Sequence, residues 1–199
     1  MRVIAGKAKG RKLLSPPGIE TRPITDRVKE SLFNILAADV IDARFLDLFA
    51  GTGGVGIEAL SRGARQAVFV EVGARQAQVI RDNLKLTGLT GQARIVRQDA
   101  FKYLQQPADE PFDIVYVAPP QYQGLWEKAL QLLDGNAHVG EDGLVVVQIH
   151  PKEYHDVALD RLVLADRRRY GSTMLCFYEA SGVGCQAPET GGRHPARNT

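Results

Sequence analysis

Three carboxylates and a glycine bend carry the first chemical signal in the chain. The run Asp47-Leu48-Phe49-Ala50-Gly51-Thr52-Gly53-Gly54-Val55-Gly56 follows an apolar stretch and gives GxGxxG spacing at Gly51, Gly53 and Gly56. Bare backbone there lets a ligand lie close over the carboxyl end of a strand. Glu71 follows 20 residues after Gly51, where an acid can accept both hydroxyls of a ribose. Two nucleosides suit this skeleton. A dinucleotide would set its pyrophosphate on the helix N-terminus. S-adenosylmethionine carries no phosphate, and has a cationic sulfonium and an α-amino group. Asp47 favours the second, because a carboxylate beside the bend attracts an ammonium and repels a pyrophosphate. Asp99, followed by Ala100-Phe101, offers an acceptor for an adenine amino group and a ring to cover the base. Asp47 and Asp99 also read as helix caps or turn residues when taken singly. Together with the bend and Glu71 they make a cofactor set of Asp47, Phe49, Gly51, Thr52, Gly53, Glu71, Asp99 and Ala100.

A second run, Ala118-Pro119-Pro120-Gln121-Tyr122, ends the fourth apolar stretch and is the candidate catalytic loop. Paired prolines stiffen the chain and remove two backbone donors, so carbonyls are left to accept. Enzymes that methylate an exocyclic amine on a base use such a loop, in the form Asp/Asn-Pro-Pro followed by Tyr or Phe. Acceptors that hold the amine N–H groups orient the nitrogen lone pair, and the aromatic stacks on an extruded base. In this chain Ala118 and Gln121 take the first and fourth places, and Tyr122 stands one position late.

The elements that must position these residues alternate regularly. Apolar runs at residues 45–49, 67–70, 93–96, 114–117 and 144–149 are separated by amphipathic segments at 55–62, 74–86 and 122–133. That order predicts a parallel sheet covered on both faces. Gly63 and Gly88 stand where helix stops are expected. Two further runs, 162–164 and 173–178, suit an antiparallel finish. Upstream, residues 1–14 read as a small hairpin, and Thr25-Asp26 begins a helix whose apolar face is Val28, Leu32, Phe33, Ile35 and Leu36. Arg27, Lys29 and Glu30 are placed on its polar face. Residues 167–170, Arg-Arg-Arg-Tyr, read as a solvated turn, His150 and His155 as loop residues, and Trp126 as core. The division expected is a basic extension at 1–40, a nucleoside-binding domain at 41–180 and a disordered tail at 181–199.

Charge is unevenly spread. The first 30 residues hold eight bases and three acids, a net charge of +5, while the whole chain carries only +2. A basic end on a mildly acidic body suits an anionic partner such as a nucleic-acid backbone, or else a solubilising arm. Lys7, Lys9, Arg11 and Lys12 are the phosphate-gripping candidates. A hydrophobic share of 44% and a charged share of 24% exclude a fibrous or wholly disordered chain. No apolar run approaches the ~20 residues of a membrane span, so a cytoplasmic location without membrane association is the expectation. Neither Cys176 nor Cys185 belongs to a CxxC pair, so neither a disulfide framework nor a metal site is expected.

With these residues in view, the chain closely resembles the RsmD family of bacterial methyltransferases, which modify a guanine exocyclic amine in small-subunit ribosomal RNA. The resemblance runs over residues 1–180. Its most specific pieces are Arg2-Val3-Ile4-Ala5-Gly6-Lys7 with Gly10-Arg11-Lys12-Leu13, and Arg22-Pro23-Ile24-Thr25-Asp26-Arg27-Val28-Lys29-Glu30. To them are joined Leu46-Asp47-Leu48-Phe49-Ala50-Gly51-Thr52-Gly53 and Glu58-Ala59-Leu60-Ser61-Arg62-Gly63-Ala64. The resemblance implies an α/β fold: a Rossmann-like, seven-stranded S-adenosylmethionine-dependent methyltransferase with a small basic N-terminal β-hairpin/helix extension. It implies S-adenosyl-L-methionine as donor, S-adenosylhomocysteine as product, and small-subunit ribosomal RNA or an assembling small subunit as partner. It also implies that Arg22, Thr25, Asp26 and Arg27 lie near the substrate. A monomer is expected. The departure lies at Ala118 and Gln121, where the family pattern is Asp-Pro-Pro-Tyr/Phe. Two alternatives stay open: an RNA-binding relative with weak or no turnover because of Ala118, and an NAD-dependent dehydrogenase resting on GxGxxG and Glu71 alone.

Overall fold

The computed structural model describes residues 1–15 and 24–181. Arg22, Cys185 and the tail from residue 182 onward lie outside them.

Seven strands form one sheet in the order β3-β2-β1-β4-β5-β7-β6. They are β1 (Arg44–Asp47), β2 (Gln66–Val70), β3 (Ala93–Val96), β4 (Phe112–Val117), β5 (Val139–Ile149), β6 (Leu162–Tyr170) and β7 (Thr173–Ala180). The first five run parallel, and β7 inserts antiparallel between β5 and β6. The reason lies in the strand sequences. All four residues of β1 are buried, as expected for a central parallel strand covered on both faces. Helices α1 (Asp26–Leu36), α2 (Gly54–Arg62) and α3 (Ala74–Thr87) cover one face. Helices α4 (Ala100–Leu104) and α5 (Leu125–Asp134) cover the other, with Trp126 fully buried in that layer.

The central alternation matches the sequence pattern, and the departures have local causes. β5 starts at Val139 rather than at 144, because Val139 already pairs with Phe112; Gly140-Glu141-Asp142-Gly143 then bulge out before pairing resumes at Leu144 opposite Ile114. α5 starts at Leu125 rather than 122, after Gly124 in the left-handed region at φ +64°. The short helix α4 has no periodic signal of its own and is capped by Asp99. Residues 167–170 are not a turn. They are the second half of β6, where β7 supplies the ladder and the outer side is a sheet edge. Charged side chains are common at such edges.

The opening segment is docked rather than trailing. Arg2 and Lys12 form an antiparallel bridge, and Val3, Ala8 and Leu13 are buried in the same cluster as α1, α2 and the sheet. Gly6 makes the closest approach. At φ +80°, a Cβ there would lie 1.7 Å from the Ser61 carbonyl oxygen, so only glycine fits. The Lys7 amide then donates to that carbonyl at 2.8 Å. Lys29 corrects the sequence reading of α1. It is not on the polar face but is wholly buried, 3.1 Å from the equally buried Glu58 carboxylate. Its Nζ also donates to the Arg2 carbonyl at 2.6 Å. Glu58 accepts further bonds from the amides of Ile4 and Ala5 and from Arg62 Nε. One buried carboxylate thus ties the opening segment, α1 and α2 together.

Candidate functional site

A cavity of about 490 Å³ opens at the carboxyl ends of β1, β2 and β4. This is where ligands bind in open α/β sheets, where the strand order reverses between β1 and β4. Of the cofactor set, Asp47, Phe49, Gly51, Thr52, Glu71, Asp99 and Ala100 line it. Gly53 does not. It is the N-cap of α2 at φ +79°, and its α-carbon faces Ile57 and Ile80. Gly56 also has a packing role, since a Cβ there would meet the Phe69 ring at 2.4 Å. The glycine pattern therefore serves helix-on-sheet packing at its third position and an open wall at its first. Phe101 does not line the cavity either. Its ring packs edge-on against Phe49 at 6.0 Å and lies under Lys128 Nζ.

The carboxylates are both caps and walls. Asp47 is 2% exposed, and its Oδ2 accepts from the Gly56 amide at 3.0 Å, in the first turn of α2. Burial pushes its pKa up from 3.8 to about 7, the Gly56 bond opposes this, and the Glu71 charge adds to the rise. Glu71 accepts from the amides of Gly51 and Gly73, each at 2.8 Å, and so ties the glycine bend to the start of α3. Asp99 Oδ1 accepts from the amides of Phe101 and Lys102 at 3.0 Å. No lysine or arginine is among the described residues that line the cavity. An acidic wall without a basic partner suits a cationic ligand and opposes a pyrophosphate.

Ala118, Pro119, Pro120 and Gln121 form the opposite wall. Tyr122 does not line it. At φ +61° its amide donates to Glu153 at 2.6 Å and its ring turns to His150, 5.4 Å away, leaving Tyr122 65% exposed on the rim. His150 caps a short turn after β5, and His155 lies beside Glu127 and Trp126.

Sequence reasoning missed Tyr116 and Gln148, which also line the cavity. Tyr116 sits in register with Asp47 on the neighbouring strand, and its hydroxyl donates to Gln148 Oε1. Burial first, and the Asp47 charge second, raise its pKa well above the ordinary phenol value, so it stays a neutral hydroxyl. The available signal was the lone polar residue in Val145-Val146-Val147-Gln148-Ile149. Met1 of the opening segment, lying over Gly54, and Ile24, just before α1, also line the cavity.

Of the nucleic-acid candidates, Lys12 and Asp26 are linked through Arg2. Lys7, Lys9, Arg11 and Lys12 are exposed. Thr25 caps α1 through the Val28 amide, Asp26 is 3.5 Å from Arg2, and Arg27 is exposed.

The family model described as conserved hypothetical protein 95 matches residues 1–179. The chain is 42% identical to ribosomal RNA small subunit methyltransferase D of Escherichia coli (strain K12) over 148 residues, 74% of each protein. The solved structure of the Escherichia coli protein yhhF is similar at a TM-score of 0.83 and 34% identity, covering 92% of this chain and 99% of that one. An RNA methyltransferase from Salinibacter ruber in complex with S-adenosyl-L-homocysteine shares the fold at a TM-score of 0.63 and 19% identity, over 84% of this chain and 97% of that one. Neither the dehydrogenase reading nor the binding-only reading finds support among these relatives.

Proposed function

The chain belongs to the conserved hypothetical protein 95 family, the RsmD family, and from that premise we propose that it methylates the exocyclic N2 amine of a guanine in small-subunit ribosomal RNA, with S-adenosyl-L-methionine as donor. The observation that carries the reading is the acidic cavity beside Gly51, which has no lysine or arginine among the described residues that line it and is faced by the paired prolines. Its buried Asp47, pushed up to about 7 beside Glu71, is a carboxylate short of a cation.

When bound, the donor supplies an electrophilic methyl on a sulfonium. Asp47 attracts the donor's ammonium, Glu71 keeps lone pairs for the ribose hydroxyls, and Asp99 accepts from the adenine amino group. The carbonyls of Ala118 and Pro119 accept from the guanine amine and aim its nitrogen. Pro119 is buried beside them, and Gln121 closes the wall over the base. Tyr116 and Gln148 fix the floor between donor and acceptor through their mutual hydrogen bond. The proton released by the amine passes to a nearby acceptor or to water.

Ala118 lacks the charged acceptor of the family pattern. An acceptor of that kind in a closed site is worth about 3 kcal/mol, or about two decades in rate. The Ala118→Asp protein is therefore expected to turn over faster than wild type by up to that factor. The test supplies labelled donor with naked small-subunit RNA, partly assembled particles and whole subunits, and reads nucleosides by mass spectrometry. N2-methylguanosine in at least one of them is expected. Its absence from all three, with both wild type and Ala118→Asp, overturns the reading.

A further inference from the structure

The sheet register places three consecutive arginines level with the cavity wall. Val147, Gln148 and Ile149 of β5 pair with Cys176, Leu175 and Met174 of β7. Those pair in turn with Arg167, Arg168 and Arg169 of β6. Gln148 lines the cavity. With strands about 4.8 Å apart, the Arg168 backbone lies about 10 Å from it along the same row.

All three arginines are exposed on the outermost strand. Paired residues share a face. Leu175 belongs to the layer under α1 and the opening segment, and Met174 and Cys176 to the layer under α5. Arg168 therefore projects on the first face, and Arg167 and Arg169 on the second, so the edge carries positive charge on both sides. Their own contacts leave donors to spare. The Arg167 guanidinium stacks 4.3 Å over the Tyr154 ring. Arg168 uses Nε on Asp166 and Arg169 uses Nε on the Gly171 carbonyl. A guanidinium has five N–H donors. Between this edge and the cavity rim stands the turn after β5, with exposed Lys152 next to the Tyr122–His150 pair. The acids of this region are Asp166, on Arg168; Asp156, on the Tyr154 hydroxyl; and Glu153, on the Tyr122 amide.

We propose that the second half of β6 is a phosphate-binding edge that holds the RNA strand flanking the nucleotide in the cavity. The inference rests on the RNA-methylating reading above and names how its substrate is held. RNA is favoured over a protein partner by the row of planar, multi-donor cations, whose geometry matches phosphate oxygens. The opening loop is a separate surface. Its helix α2 packs on β1 and β2, whereas β6 lies beyond β5 and β7.

The test titrates full-length protein against in vitro transcribed small-subunit RNA across a series of KCl concentrations. Arg167→Gln/Arg168→Gln/Arg169→Gln is expected to bind about tenfold more weakly. Its slope of log affinity on log salt should be shallower by about 2, at about 0.7 per single-strand phosphate contact. The triple lysine variant should keep most of the slope, which separates lost charge from lost fold. Asp166→Asn, which frees Arg168, should bind two- to threefold tighter. In methyl transfer the glutamine variant should raise KM for RNA while kcat at saturation stays within twofold. A wild-type slope in the glutamine variant overturns the proposal. So does a defect seen with assembled subunits but not with naked RNA, which would mark a protein partner. If wild type binds RNA through these arginines yet methylates none, the functional reading fails and the edge stands.

Discussion

Two buried carboxylates, Glu58 within α2 and Asp47 beneath its first turn, are held in opposite ways. Glu58 is fully enclosed and accepts from two backbone amides, Lys29 and Arg62. Asp47 is nearly as buried, accepts from one amide, faces a second carboxylate and borders a cavity. A buried charge is costly unless paired and hydrogen-bonded. At Glu58 the partners come from the chain itself, and the result is architecture: the opening segment is fastened to the sheet domain. At Asp47 the described residues supply no cation, and in the function proposed above the donor's ammonium completes the pairing. Burial alone does not tell the two apart; Glu58 has cationic partners within the chain, and Asp47 has one amide and a neighbouring acid.

The largest break in this comparison is removal of Glu58. Glu58→Ala strands Lys29 in the core, and taking one partner from a buried pair costs about 3–5 kcal/mol. Urea denaturation should show that loss, and proteolysis should reach residues 1–15 sooner. The double variant Glu58→Gln/Lys29→Met, which removes both charges and keeps an acceptor for the Ile4 and Ala5 amides, should recover the part due to the stranded Lys29. A single-variant loss below about 1 kcal/mol would sink the assignment.

Asp47 should behave in the reverse sense. Its pKa rises from 3.8 unfolded to about 7 folded. The folded protein therefore holds a proton that the unfolded chain has released between these values. Stability from this group is fully present below about pH 4 and is lost as pH rises through 7, by about 4 kcal/mol in all. Asp47→Asn keeps an acceptor for the Gly56 amide and removes the charge, so it should melt higher than wild type at pH 8. A cationic ligand favours the ionised form. Calorimetric titration with S-adenosylmethionine should show affinity climbing from pH 5.5 toward 7 and levelling above it, with proton release on the climb. In Asp47→Asn the profile should be flat and the binding weaker. A flat wild-type profile would show that Asp47 does not meet the ligand's charge.

The same contrast explains what was legible in the sequence. The central strands were readable because buried parallel strands are short continuous apolar runs bounded by glycine, and Asp47, Glu71 and Asp99 stand at their tips. Lys29 was misplaced although its position gave it away. Lys29, Leu32, Phe33 and Leu36 follow i, i+3, i+4, i+7 spacing, the buried stripe of α1. Its charge points to solvent and its position to the core, and the fold decides between them by supplying Glu58. Tyr116 and Gln148 were hidden because strand pairing, not sequence distance, brings them together. Residues 167–170 read as a turn because nothing in Arg-Arg-Arg-Tyr reveals that β7 will supply a ladder.

The smallest effect expected concerns the opening loop, and it sharpens the contrast between charge that builds and charge that binds. The loop tip is not beside the cavity. Lys7 docks at Ser61, seven residues along α2 from Gly54, whereas Met1 lies over Gly54 at the cavity end. At 1.5 Å rise per residue the tip is about 10 Å further from the site than the stem. That is about the distance of the β6 arginines from the cavity wall, but a lysine is a point charge without the planar donor fork of arginine, so each should matter less than an arginine on the β6 edge. Neutralising Lys7 and Lys9 should lower RNA affinity about two- to threefold. Neutralising Arg11 and Lys12, nearer the bridge to Arg2, should cost somewhat more. Both should flatten the salt dependence by at most ~0.7 per residue on single-stranded RNA. None of the four should alter donor affinity. If the tip pair outweighed the β6 arginines in the same titration, the RNA would run along α2 rather than across the sheet toward β6.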